Sequence, residues 1–240
     1  GETLFGGLGF DFKWNMGWMH DTLDFFSADP LFRGHKLGNL TFNIVYAFSE
    51  KFVLPLSHDE VVHGKGSLYG KMPGDREQKL ANLRLLISYM FSFPGKKLLF
   101  MGSERSQESE WDYNSSVVSE AGEPEKSCMM ELIANLNNIY ENYGLGKTDC
   151  LQNAFQWIDF NDRNNTVISF MRKTKQLSKT MVFIFNFNIK LMENYRIGVP
   201  KKGMFKLIFN SDSKKFGGLE YGGMGDAVSE ETPFHGYLWS

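Results

Sequence analysis

Two hydrophobic periods run along this chain, and the change from one to the other divides it. From Asn15, Met19, Leu23 and Phe26 recur at helical spacing, predicting a helix that Asp29-Pro30 closes. Its aromatic stripe reads as a face buried in a core. Residues 1–13, rich in glycine and aromatics, read as a loop rather than an element. Residues 40–46 carry Thr41, Phe42, Ile44 and Val45, which favour extended structure and predict a short strand. A short apolar run over residues 52–56 predicts a second, buried one. Pro73-Gly74-Asp75 then opens the clearest helix, with Asp75 as cap and Gln78 as its capping-box partner. Leu80, Leu83, Ile87, Met90 and Phe91 keep helical spacing until Pro94-Gly95. The apolar run over residues 97–101 resembles a buried parallel strand. The predicted order is helix, strand, strand, helix, strand, which is α/β organisation with a mostly parallel sheet.

Residues 102–126 are polar and read as a long loop anchored by Trp111. Helical spacing returns through Met129, Leu132, Ile133, Leu136, Ile139 and Tyr140, and Gly144-Leu145-Gly146 marks the expected domain boundary. Beyond it the period shortens. Strand-like runs are predicted at residues 155–158, 166–172, 181–186, 195–199 and 205–209, with a turn at residues 162–165. Strands at that spacing suggest an antiparallel sandwich, with a glycine-rich loop over residues 217–225. The fold class expected is therefore α/β plus all-β.

The candidate chemistry sits just after the run at residues 52–56, where the chain reads Ser57-His58-Asp59-Glu60 and then Gly64-Lys65-Gly66-Ser67. The bland reading is a strand meeting a polar turn. A zinc-protease pattern needs two histidines four apart on one helical face, whereas His58 and His63 are five apart after a strand. The spacing of a phosphate-binding loop is also absent. A third reading is a carboxylate offered to a sugar, since glycoside chemistry uses carboxylates and hydrogen bonds to ring hydroxyls around an oxocarbenium-like centre.

Composition narrows the partners. A formal net charge of −2 in 240 residues gives no basic excess, so no nucleic-acid partner is expected. No stretch approaches the roughly 20 apolar residues of a membrane span, and residues 1–10 lack the pattern of a secretory signal. Cys128 and Cys150 are too few for a disulfide framework and read as free thiols in a reducing, cytoplasmic setting.

Residues 6–104 closely resemble bacterial 1,4-α-glucan (glycogen) branching enzymes of the α-amylase family. The matching segments are GGLGF from Gly6, KWNMGWMHDTL from Lys13, YAFSE from Tyr46, LPLSHDEVVHGKGSL from Leu54, GKMPGD from Gly70, ANLRLL from Ala81 and PGKKLLFMG from Pro94. YRIGVP from Tyr195 and the pattern from Asn210 resemble that family's C-terminal domain. The SHDEVVHGKGS block is the most specific of these.

The resemblance implies that residues 1–143 are the C-terminal part of a catalytic (β/α)8 barrel, about strands six to eight. Residues 147–240 would form a C-terminal β-sandwich whose last strand is truncated. Asp59 would stabilise the transition state, gripping hydroxyls of the glucose at the cleavage point, and His58 would donate a hydrogen bond to the same sugar. The implied reaction is a retaining double displacement on α-glucan (glycogen, amylose), needing neither metal nor organic cofactor. The family's nucleophilic aspartate and acid/base glutamate have no match here, so both are expected in a missing N-terminal part, leaving this chain alone inactive. The family's G-G-E-F-G-Q block is replaced by Gly102-Ser103-Glu104-Arg105-Ser106-Gln107, and Asp11 stands where relatives carry an aromatic. Two other functions stand beside this one: a non-catalytic glucan-binding fragment, and a scaffold with no site. Three of eight barrel strands would leave open sheet edges, from which aggregation of the isolated chain is expected.

Overall fold

The computed structural model describes residues 6–115, 124–221 and 225–240. A first strand, β1 (Lys13–Trp14), leads into helix α1 (Met16–Ser27). Asn15 caps α1, its side chain accepting from the Trp18 backbone N–H at 2.9 Å. Ala28 turns extended and ends it just before Asp29-Pro30, as the sequence predicts. Buried Arg33, on the 3-10 segment Pro30–Lys36, satisfies the free end of the helix. Its guanidinium donates to the carbonyls of Phe26 at 2.7 Å and Ala28 at 3.2 Å, and lies against the Phe25 and Phe26 rings. Burial lowers its pKa to about 10.

Residues 40–46 are not the predicted strand. They complete helix α2 (Leu37–Thr41) and a 3-10 turn, Phe42–Val45. Leu37 and Leu40 are fully buried while Phe42 and Val45 are exposed, so packing of α2 against α1 overrides the extended preference of Thr41, Ile44 and Val45. The loop expected at residues 1–13 also yields at its end, where Lys13 enters β1.

Strand β2 (Phe52–Leu56) lies between β1 and β3 (Lys96–Leu99), parallel to both. A proline inside a central strand ordinarily breaks the ladder. Here the Val53 carbonyl accepts from Asn15 N–H at 2.8 Å, so Pro55, two residues on, faces the same edge beyond the end of β1. No ladder bond is lost. The short helix α3 (Leu68–Lys71) precedes α4 (Arg76–Ser92), which begins with the predicted capping box: Gln78 N–H to Asp75 and Asp75 N–H to Gln78, both 3.0 Å. Its chain then returns through Gly95, at φ +125°, where a Cβ would lie 2.9 Å from Leu54 Cγ. Each residue of β3 is partly, not fully, buried.

The polar segment after β3 contains a 3-10 turn at Ser103–Arg105, its residues 116–123 lie outside the described residues, and helix α5 (Pro124–Asn142) starts before its expected end. The second half holds an antiparallel sheet of β4 (Phe155–Asp162), β5 (Val167–Lys173) and β6 (Thr180–Asn186). The predicted turn at residues 162–165 is held by the Asp162 carboxylate, which accepts from Asn165 N–H at 3.1 Å. The runs at 195–199 and 205–209 do not form full strands. Val199 makes a single bridge to Trp239, and only β7 (Met204–Phe205) pairs with β8 (Ala227–Val228). Both runs leave half or more of their residues in contact with solvent, so no second apolar face demands a longer ladder. Gly222 and Gly223 of the glycine-rich loop lie outside the described residues.

The two halves share one core. Phe170, Phe185 and Phe187 of the antiparallel half stack on one another, and Phe187 meets Phe25, Phe26 and Tyr89 from α1 and α4. Beneath them Arg172 pairs with Asp149 at 2.8 Å, both side chains fully buried. The same guanidinium donates to the carbonyls of Ser92 and Leu145, each at 3.0 Å.

Candidate functional site at the end of strand β2

Beyond Leu56 the chain takes one extended residue, Ser57, and then a 3-10 turn over His58–Glu60. That turn is closed by Glu60 N–H to Ser57 O at 3.3 Å and Val61 N–H to His58 O at 3.0 Å. Ser57 is buried, whereas the His58 and Asp59 side chains are 50% and 49% exposed. His58 Nε2 and Asp59 Oδ1 stand 3.1 Å apart. Ser57 Oγ lies 3.5 Å from Asp59 Oδ2, the outer limit of a hydrogen bond. The strand end therefore delivers an imidazole and a carboxylate together, both facing solvent and both with unused hydrogen-bonding capacity. These are the two residues that the resemblance implicates, and they stand 3.1 Å apart at the strand end.

Behind the histidine, Phe100 packs its ring 5.8 Å from the imidazole, and Trp111 meets Phe100 edge-on at 5.4 Å. Glu60 turns inward, buried, and takes Lys65 at 3.2 Å. His63 is fully exposed and pairs with Glu110 at 3.4 Å, so the two histidines serve different carboxylates. Among the described residues, no group of three His, Cys, Asp or Glu side chains is placed to hold a metal ion.

The Gly64-Lys65-Gly66-Ser67 loop has partners of its own. Gly64 and Gly66 adopt φ +82° and +74°, a left-handed backbone that glycine takes without strain. The Gly66 N–H donates to Glu110 Oε1 at 2.7 Å. Ser67 caps α3 and donates its hydroxyl to the Glu108 carbonyl at 2.8 Å. Hydrogen bonds from Gly66 and Gly64 hold the Glu110 carboxyl below its ordinary pKa. Glu110 is the residue that sequence reasoning missed: it lies 44 positions after Gly66 in a polar stretch, and only its neighbour Trp111 stood out.

The family described as Alpha amylase, C-terminal all-beta domain, matches residues 157–240. An alpha-amylase from H. orenii superposes with a TM-score of 0.52 at 16% identity, covering 87% of this chain and 45% of that one. The Nostoc punctiforme debranching enzyme gives 0.55 at 14% identity, covering 86% and 41%. The parallel α/β part followed by the antiparallel part is thus the C-terminal portion of the α-amylase family fold. At the level of sequence the match is far tighter. The chain is 49% identical over 240 residues to the 1,4-alpha-glucan branching enzyme GlgB of Aquifex aeolicus, and 50% identical over 233 residues to that of Cereibacter sphaeroides. These alignments cover 99% and 96% of the chain but 38% and 32% of the relatives, so it spans about a third of their length. Over nearly its whole length the chain is thus similar to the C-terminal portion of 1,4-alpha-glucan branching enzymes.

Proposed function

We propose that this chain is part of an enzyme that cleaves an α-1,4-glucan and transfers the released chain to a glucan 6-hydroxyl, forming α-1,6 branches by retaining double displacement. The observation that carries the reading is the His58–Asp59 pair at the strand end, in a chain so similar to branching enzymes over nearly its full length. In this reading Asp59 is the transition-state stabiliser. Its carboxylate accepts hydrogen bonds from ring hydroxyls, which strengthen as positive charge develops at the anomeric carbon. His58 donates from its ring nitrogen to the same sugar. The nucleophile and acid/base are supplied by an N-terminal part of the same enzyme, as no matching motif occurs in residues 1–240. Neither metal nor organic cofactor enters this chemistry.

The domain assignment belongs to the same proposal: residues 1–143 as about strands six to eight of a (β/α)8 barrel, and 147–240 as a β-sandwich domain. Exposed Leu8, Phe10, Trp14, Leu31, Phe32 and Val45 support it, as large apolar side chains left in water that a further part of the enzyme would cover. The three-stranded parallel sheet supports it too, since purely parallel sheets ordinarily close into barrels or lie buried between helices. α-Glucan is the proposed partner and the cytoplasm the proposed setting. Among the described residues no helix is long and apolar enough to cross a membrane.

Asp59→Asn in the full-length protein tests this. The substitution keeps the shape and removes the charge, and branching activity is expected to fall at least about a hundredfold, the scale of losing one charge-stabilising group. Near-normal branching by the variant would rule out the role given to Asp59.

A further inference from the structure

The loop that follows the His58–Asp59 pair is gripped at both ends by two consecutive residues of a distant segment. Trp111 donates its backbone N–H to the Val61 carbonyl at 2.8 Å, one residue beyond the turn that carries the pair. Glu110 receives the Gly66 N–H at 2.7 Å at the other end and meets the His63 imidazole between them at 3.4 Å. The Trp111 ring also supports Phe100, which backs His58. The left-handed Gly66 turns its amide to the Glu110 carboxylate, a local arrangement that receives a negative charge well. Ser67 adds a further bond to the same segment, through the Glu108 carbonyl.

A loop fixed in this way is a wall, not a lid. It presents His63 and Lys65, whose side chains are 103% and 49% exposed, from the same chain segment as the half-exposed His58 and Asp59. Glu110 keeps a third of its side-chain surface in water, yet its carboxylate is committed to the loop. We propose that Glu110 is a positioning residue: it holds residues 61–67 as a fixed rim of the sugar site and so governs glucan binding more than the chemical step. The inference rests on the branching reading for its functional consequence. Its structural core stands on the hydrogen bonds alone.

The test compares Glu110→Ala and Glu110→Gln in the full-length protein. Alanine removes both the acceptor and the charge, whereas glutamine keeps an amide oxygen for the Gly66 N–H. With alanine, amide exchange at Gly64 and Gly66 is expected to accelerate, and KM for amylose to rise roughly tenfold with kcat within about twofold, the scale of one hydrogen bond to a charged group. Glutamine is expected to restore most of the amide protection and most of the KM. The inference is overturned if alanine leaves loop exchange and KM unchanged. It is equally overturned if alanine lowers protection across the whole chain and glutamine rescues nothing, which is the signature of a merely structural residue. A wild-type protein inactive on α-glucan would defeat the branching reading, while the exchange data would still decide whether Glu110 holds the loop.

Discussion

Two close polar pairs in this molecule have similar spacing and opposite surroundings. Arg172 and Asp149 stand 2.8 Å apart with both side chains fully buried, whereas His58 and Asp59 stand 3.1 Å apart with half of each exposed. The buried pair is saturated. Arg172 also donates to two backbone carbonyls at 3.0 Å, and Asp149 takes the Tyr140 hydroxyl and lies 3.8 Å from Lys96. Nothing remains for a ligand. Asp59, among the described residues, has only His58 and a long contact from Ser57, so most of its acceptor capacity faces outward. Saturation marks a group that holds the fold together, and an ordered but unsaturated group marks one available to a substrate.

The largest effect should come from breaking the saturated pair. Arg172→Met leaves Asp149 buried without its main counter-charge, and a destabilisation of about 3–5 kcal/mol is expected by denaturant unfolding. A cost below about 1 kcal/mol would mean that Lys96 and Tyr140 suffice to hold Asp149. The neighbouring Lys97 sharpens the point. Its ammonium donates to the Phe93 carbonyl and lies over the Tyr140 ring, and burial lowers its pKa from the ordinary 10.5 to about 7. The unfolded chain therefore binds more protons than the folded one between about pH 7 and 10.5, so stability contributed by this site rises with pH across that window. Unfolding measured from pH 7 to 9 should show that rise in the wild type and a flatter profile in Lys97→Met. Identical slopes would remove Lys97 from the joint. The smallest effect lies away from both pairs: Asp75→Ala removes the α4 cap and should cost about 1 kcal/mol without touching glucan chemistry.

Much of this was written in local sequence. The caps at Asn15 and Asp75 and the stop at Asp29-Pro30 lie within a few residues of what they control, so the helices were legible. The strand at Phe52–Leu56 and the pair that follows it were legible for the same reason. Residues 40–46 were misread because their helical form depends on burying Leu37 and Leu40 against α1, a contact that no window of residues displays. β1 was missed because two residues become a strand only by pairing with Phe52 and Val53, almost forty positions later. Glu110 was invisible for a similar reason: its role exists only once a loop 44 residues earlier turns the Gly66 amide toward it.

The most direct test of the contrast measures melting temperature and branching activity together, in the full-length protein, for Asp59→Asn and Arg172→Met. Asp59→Asn is expected to melt within about 2 °C of the wild type, as exposed substitutions do, while losing branching. Arg172→Met is expected to melt far lower while each folded molecule keeps its turnover. An Asp59→Asn variant that unfolds early, or that branches normally, would contradict the separation of site from joint.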